Sequence, residues 1–173
     1  MHDSIRLHIG GREKREGWLN LDVQPFAHVD IVGSIATSIP LPDGSVEEIY
    51  ASHVLEHLGF QTEISAALHE IRRVLRRGGR FYVAVPDLDA ITRLFSTPGR
   101  GVDEQLTLMA MIFGAQTDAY DFHKIGLNQA ILSVYLLEAG FTTAQRVPNF
   151  GLFEDSSLLT FRGEPVSLNL IVT

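Results

Sequence analysis

A turn, a strand and the first turn of a helical register follow one another without a gap in Pro40-Leu41-Pro42-Asp43-Gly44-Ser45-Val46-Glu47-Glu48-Ile49-Tyr50-Ala51-Ser52-His53-Val54-Leu55-Glu56-His57-Leu58. Pro42-Asp43-Gly44-Ser45 is turn chemistry: proline presets φ and glycine permits the tight bend. The apolar run Val46 to Ala51 that follows is short enough for a strand, which stops at Ser52. From His53 the apolar spacing of Val54, Leu55 and Leu58 becomes that of a helical turn. Ser52, His53 and Glu56 are thereby expected near the carboxyl end of a strand, the edge of an open parallel sheet where ligands bind.

Upstream, Ile5-Arg6-Leu7-His8-Ile9 alternates, which sets Ile5, Leu7 and Ile9 on one face of a strand and Arg6 and His8 on the other. Gly10-Gly11 then supplies a turn open to φ values other residues avoid, either as a plain tight turn or as a close backbone approach to a ligand. Trp18-Leu19-Asn20-Leu21-Asp22 is a second alternating strand. Its terminal acid, Asp22, can accept hydrogen bonds from both hydroxyls of a ribose. Only Arg12 to Gly17 separate Gly11 from Trp18, whereas a parallel crossover usually takes a dozen residues or more. The same shortage recurs over Val23 to His28, before a third strand, Val29-Asp30-Ile31-Val32. No full helix fits in either gap, so Arg6, His8, Asn20, Asp22 and Asp30 are expected on a partly bare sheet face.

Gln61 to Arg77 has helical spacing in Ile64, Ala67, Leu68, Ile71, Val74 and Leu75, with an arginine cluster at its end read as a solvated match to the macrodipole. Gly78-Gly79 closes it. Arg80 to Val85 is an apolar strand of the buried kind that ends at Pro86. A short helix is expected over 87–95 and another over 102–113, followed by a flap, 114–126, in which Tyr120-Asp121-Phe122-His123-Lys124 mixes aromatic and titratable groups. A helix over 128–139, capped by Gly140, and strands over 143–147 and 166–172 complete the chain. An Asp155-Ser156-Ser157 turn lies in the connection between those strands.

Leu7-His8-Ile9-Gly10-Gly11, the run Ala51-Ser52-His53-Val54-Leu55-Glu56-His57-Leu58, the turn Arg73-Val74-Leu75-Arg76-Arg77-Gly78-Gly79 and Val85-Pro86-Asp87-Leu88, in this order and spacing, resemble class I S-adenosylmethionine-dependent methyltransferases of the small type-11 kind. The resemblance covers roughly 5–172 and implies an α/β, Rossmann-type sheet of about seven strands, mostly parallel with an antiparallel last strand, its N-terminal helices shortened or absent. It implies S-adenosylmethionine as cofactor, with Gly10 and Gly11 at the methionyl part, Asp22 at the ribose, Ser34 and Ile35 at the adenine, and Ser52 at the strand edge. Ser34 stands where the family often has an acid, and a neutral hydroxyl makes a weaker contact. Methyl transfer needs an in-line acceptor and, for a hydroxyl or amine, a base; His53 on the strand edge and His123 on the flap are the candidates. The acceptor expected is a small molecule or a glycan.

Two other readings compete. One is a non-catalytic or assembly-dependent relative, whose bare sheet face would form a homodimer. In the other, His53-Val54-Leu55-Glu56-His57 is the inverted zinc-peptidase signature, with histidines four apart on one helix face and Glu56 as base; the resemblance argues for no metal here. With Asp and Glu outnumbering Lys and Arg 21 to 14, a nucleic-acid surface is not expected. No cysteine is present, which removes disulfides and thiolate chemistry. No apolar run approaches the ~20 residues that span a bilayer, and His2, Asp3 and Arg6 give the start no signal-peptide character. The expectation is one domain, 1–173, in the cytoplasm.

Overall fold

A computed structural model describes residues 5–173; His2 and Asp3 lie outside the described residues. The strands β1 (Ile5–Ile9), β2 (Leu19–Asp22), β3 (Ile31–Val32), β4 (Val46–Ser52), β5 (Leu75–Pro86), β6 (Ala144–Arg146) and β9 (Ser167–Val172) form a seven-stranded sheet in the order β3-β2-β1-β4-β5-β9-β6. The pairs from β3 to β5 are parallel, and β9 inserts antiparallel between β5 and β6. This is the expected arrangement, down to the number of strands. A separate hairpin pairs β7 (Thr160–Phe161) with β8 (Glu164–Pro165).

The apolar half of the β1 alternation is buried as expected: Leu7 and Ile9 join Ile49, Ala51, Phe81 and Val83 under α1 (Glu63–Val74) and α4 (Gln129–Glu138). Helices α2 (Leu88–Phe95) and α3 (Val102–Phe113) pack on each other around Ile91, Leu94 and Leu108. As the short spacings require, β1 passes to β2 and β2 to β3 through loops, with no helix between them.

The opposite face is not bare. His8, Trp18, Tyr50 and Tyr82 are covered by Phe150, Leu152 and Phe153 from the segment that precedes β7, with the His8 and Phe153 rings 4.2 Å apart. Asn169 Nδ2 pins that segment by donating to the carbonyls of Pro148 (3.0 Å) and Ser157 (2.9 Å). Covering the face with the chain's own aromatics removes the premise for a homodimer through it.

The helix over Gln61 to Arg77 is shorter than its apolar spacing suggested. It ends at Val74, and Leu75 already pairs with Val46 as the first residue of β5. Gly78-Gly79 therefore lies inside β5 and is no helix cap; a Cβ on Gly79 would meet the Glu47 carbonyl at 2.8 Å, so strand contact demands the glycine. Nor is the arginine cluster merely solvated. Arg73 bonds Glu70, Asp43 and the carbonyls of Ile39 and Leu41, which ties the turn before β4 to the end of α1. That pairing holds the Glu70 carboxyl down at about 2.

Candidate active site

The parallel register aligns Ile9 with Leu21 on one side and with Ala51 on the other. Gly10, Asp22 and Ser52 are consequently neighbours on one rim, at the carboxyl ends of β1, β2 and β4. Gly10, at φ +71°, bends the chain out of β1; any side chain on it would meet a Val54 methyl at 2.7 Å. Gly11 is held by Asn20, which accepts from its N–H at 3.1 Å and donates to its carbonyl at 2.7 Å. Asn20, which the sequence marks only as a polar strand position, is thus the support of the glycine turn. Asp22 accepts from the Gln24 N–H at 2.8 Å through Oδ1, leaving Oδ2 for other donors. Beside it Val23, Phe26 and Val32 are exposed apolar side chains, and the space over Gly33 is open. Ser34 Oγ accepts from the Ala36 N–H at 3.3 Å, while Ile35 is 4% exposed and belongs to the main core, not to the rim surface.

Ser52 donates to Asp155 Oδ1 at 3.2 Å, and the hydroxyl of Tyr50 donates to Asp155 Oδ2 at 2.8 Å. Asp155 also accepts from the Ser157 N–H at 2.8 Å. The sequence marked it only as part of a turn, because its partners Tyr50 and Ser52 lie more than a hundred positions away.

After Ser52 no α-helix begins. His53 takes φ +54°, a left-handed conformation that costs a residue with a Cβ, and Leu55–His57 form a single 3₁₀ turn. The zinc-peptidase geometry of two histidines on one helix face is therefore absent. Ser167 Oγ donates to the Ser156 carbonyl at 2.6 Å, so it must accept from His53 Nε2–H at 2.8 Å. That fixes the tautomer and leaves His53 Nδ1 as a lone pair, 3.4 Å from Glu56 Oε1. Burial depresses the His53 imidazolium to about 4 and pushes the Glu56 carboxyl up to about 8. Both shifts run toward the uncharged form, the direction in which burial drives an imidazole and a carboxyl alike.

The flap residues 114–126 are irregular as expected, but Tyr120 and Phe122 are exposed and do not anchor them. Anchoring comes from the backbone: the N–H groups of Lys124 (2.7 Å) and Ile125 (3.3 Å) donate to the Glu56 carbonyl. Gly114, at φ +83°, is required where the flap begins, since a Cβ there would overlap the Asp121 carbonyl oxygen at 2.1 Å. This closure sets the His123 ring 4.9 Å from that of His57. Burial and the neighbouring His57 keep the His123 imidazolium below its ordinary value. Its Nδ1 donates to the Met111 carbonyl at 3.1 Å, so Nε2 carries a lone pair. The structure thus gathers His53, Glu56, His57 and His123 beyond the ends of β4 and β5, beside the rim of Gly10, Asp22 and Ser52.

No helix among the described residues is long and apolar enough to cross a membrane. Residues 12–83 match a family described as methyltransferase domain. A protein of Mycolicibacterium smegmatis described as a probable S-adenosylmethionine-dependent methyltransferase is 32% identical over 133 residues, covering 77% of this chain and 42% of its own length. The chain spans between 34% and 42% of the length of the curated relatives it matches. Among solved structures, a SAM-dependent methyltransferase from Archaeoglobus fulgidus has the same fold, with TM-score 0.61 at 14% identity over 98% of this chain and 85% of that one. A chain solved in complex with the Haloferax volcanii Trm112 methyltransferase activator aligns with TM-score 0.60 at 15% identity, over 98% and 82% of the two chains.

Proposed function

We propose that this chain works as a class I S-adenosylmethionine-dependent methyltransferase, binding S-adenosylmethionine along the β1–β2–β3 rim and transferring the methyl group to a small-molecule or glycan acceptor, a reading supported by the methyltransferase-domain match over residues 12–83 and by the shared fold. The observation that carries this reading is the alignment of Gly10, Asp22 and Ser52 on one sheet edge. The residues fit an adenosyl group: Asp22 Oδ2 is available to ribose hydroxyls, and exposed Val23, Phe26 and Val32 give an apolar surface beside the open space at Gly33. Ser34 offers its hydroxyl proton nearby, while buried Ile35 supports that corner from beneath. Gly10 and Gly11 would lie at the methionyl end, with Val54 bounding the slot on the β4 side.

When bound, the cofactor supplies a methyl carbon already electrophilic on its sulfonium. What the protein must add is position and proton removal. His123 is the better base of the two histidines, because its Nε2 lone pair is uncommitted while its Nδ1–H is held by Met111. His53 donates through Nε2 to Ser167 and turns Nδ1 to Glu56, so it acts as a positioning residue for the turn that carries Glu56 and His57. Asp155, through Ser52, fixes the strand end between the two groups.

Calorimetry with S-adenosylmethionine and S-adenosylhomocysteine tests the reading. Saturable heat is expected, weakened about 10- to 100-fold in Asp22→Ala, where charge-assisted hydrogen bonds are lost. Absence of heat in the unsubstituted chain overturns it in favour of an assembly-dependent relative, a reading that the activator-bound structural neighbour supports.

A further inference from the structure

We propose that Glu56, His57 and His123 form a binding site for a single divalent transition-metal ion of the Zn²⁺ class. One ligating atom from each lies within 4.8 Å of the other two. Glu56 is 1% exposed, and neither of its carboxyl oxygens has a hydrogen-bond partner among the described residues. A buried carboxyl left so is costly unless something outside the protein's own polar groups takes its lone pairs. The remedy is near at hand. A cavity of about 10 Å³ sits against the carboxyl; Glu56 and His123 line it with apolar residues such as Leu88, Ile91 and Met111, while His57 stands outside its lining and reaches the ion only as the ligands close in. That is room for roughly one water or one ion.

The two histidines are already prepared as ligands. His57 Nδ1 faces the Phe122 carbonyl at 3.2 Å and His123 Nδ1 the Met111 carbonyl at 3.1 Å. A carbonyl can only accept, so each ring carries its hydrogen on Nδ1 and its lone pair on Nε2. Ligating histidines are commonly held in this way, the second nitrogen donating to a backbone carbonyl that fixes tautomer and ring angle. Two imidazoles and one carboxylate suit a borderline-soft ion and leave one tetrahedral position open. Such a site sets ligand atoms about 3.4 Å apart at bonds of about 2.1 Å, so the three side chains close in by roughly an ångström as the ion binds. Glu56 ligates as the carboxylate, so any proton on it leaves to solvent as the ion binds.

The site unites two chain segments, 56–57 and 123, that the flap anchoring on the Glu56 carbonyl brings together. It differs from the signature in the sequence by using His123 where that motif has His53. It does not rest on the methyltransferase reading. With the ion bound, His123 Nε2 is a ligand; metal-free, it is the base assigned above.

Chelator-treated protein is titrated with ZnCl₂ by calorimetry, and with CoCl₂ by visible absorption. The expected result is about one ion per chain with Co²⁺ bands of tetrahedral intensity. Affinity should fall at least about 100-fold in His57→Ala and in His123→Ala, and stay unchanged in His69→Ala, an exposed histidine on α1. No heat, Co²⁺ bands of octahedral weakness, or affinity in either ligand variant equal to that of the unsubstituted chain would each overturn the proposal. The Co²⁺ spectrum of the unsubstituted chain decides even where a variant does not fold. Both metal titrations are run without S-adenosylmethionine, so their outcome is separate from that of the cofactor assay.

Discussion

At the scale of single residues, the polar side chains that looked unsupported in the sequence are the ones the fold uses most closely. His8 alternates out of the core face of β1 and comes to rest among Trp18, Tyr50 and Phe153. Burial holds its imidazolium down at about 4, against an opposing pull from Asp155 and a reinforcing push from Arg15. The unfolded chain takes up the proton near 6.5, so the folded state is fully stable above that pH and loses stability as pH falls toward 4. His8 should contribute on the order of 3 kcal/mol to that loss. His53 titrates across the same window, so His8→Asn should remove about half of the slope. Urea denaturation at stepped pH between 7 and 4 measures it; equal slopes in the variant and the parent chain would refute the assignment. Asp22 could be put forward from sequence because it ends a strand. Asp155 could not, since a carboxylate in a turn gives no local sign of the hydroxyls that will converge on it.

Elements tell a similar story about range. The helices α3 and α4 and the strands flanking Ser52 were legible because hydrophobic period is a local property. The end of α1 was not. Leu75 continues the helical spacing, yet pairing it with Val46 in β5 satisfies more backbone than one further turn of helix would. The covering segment before β7 escaped for the opposite reason: Phe150-Gly151-Leu152-Phe153 has no period, and only the sheet beneath it gives those rings a place. Asp155 is the fastening of that segment, with three donors on one carboxylate. Replacing Asp155 with Ala leaves the buried Tyr50 hydroxyl only its longer contact to Ser157 Oγ at 3.3 Å and strips Ser52 and the Ser157 N–H of their acceptor, and should cost about 2–4 kcal/mol, whereas Tyr50→Phe, which removes one donor and its need together, should cost about 1 kcal/mol. Chemical denaturation of both variants distinguishes them, and equal losses would mean that Asp155 is not the fastening.

For the whole molecule, the consequence of two missing crossovers is that one sheet face is closed by a late segment of chain, and the rim proposed for the cofactor borders that closure. Ligand binding there should tighten the molecule. With S-adenosylmethionine at about 100 times its Kd, linkage predicts about 2.7 kcal/mol of added stability and a melting temperature raised by roughly 5–10 °C. Asp22→Ala should lose most of the rise, which a thermal melt with and without cofactor reads; a rise of the same size in that variant would place the binding elsewhere. Period, turn chemistry and crossover length are carried by neighbours in the chain, and they were enough to mark the strands and the absence of early helices, while the parallel sense of the sheet followed from the resemblance to the methyltransferases. The position of Asp155, the covered face, the helix-free turn at His53 and the meeting of Glu56 with His123 were decided only in three dimensions. Each depends on side chains far apart in sequence competing for one buried volume, and that competition leaves no local trace.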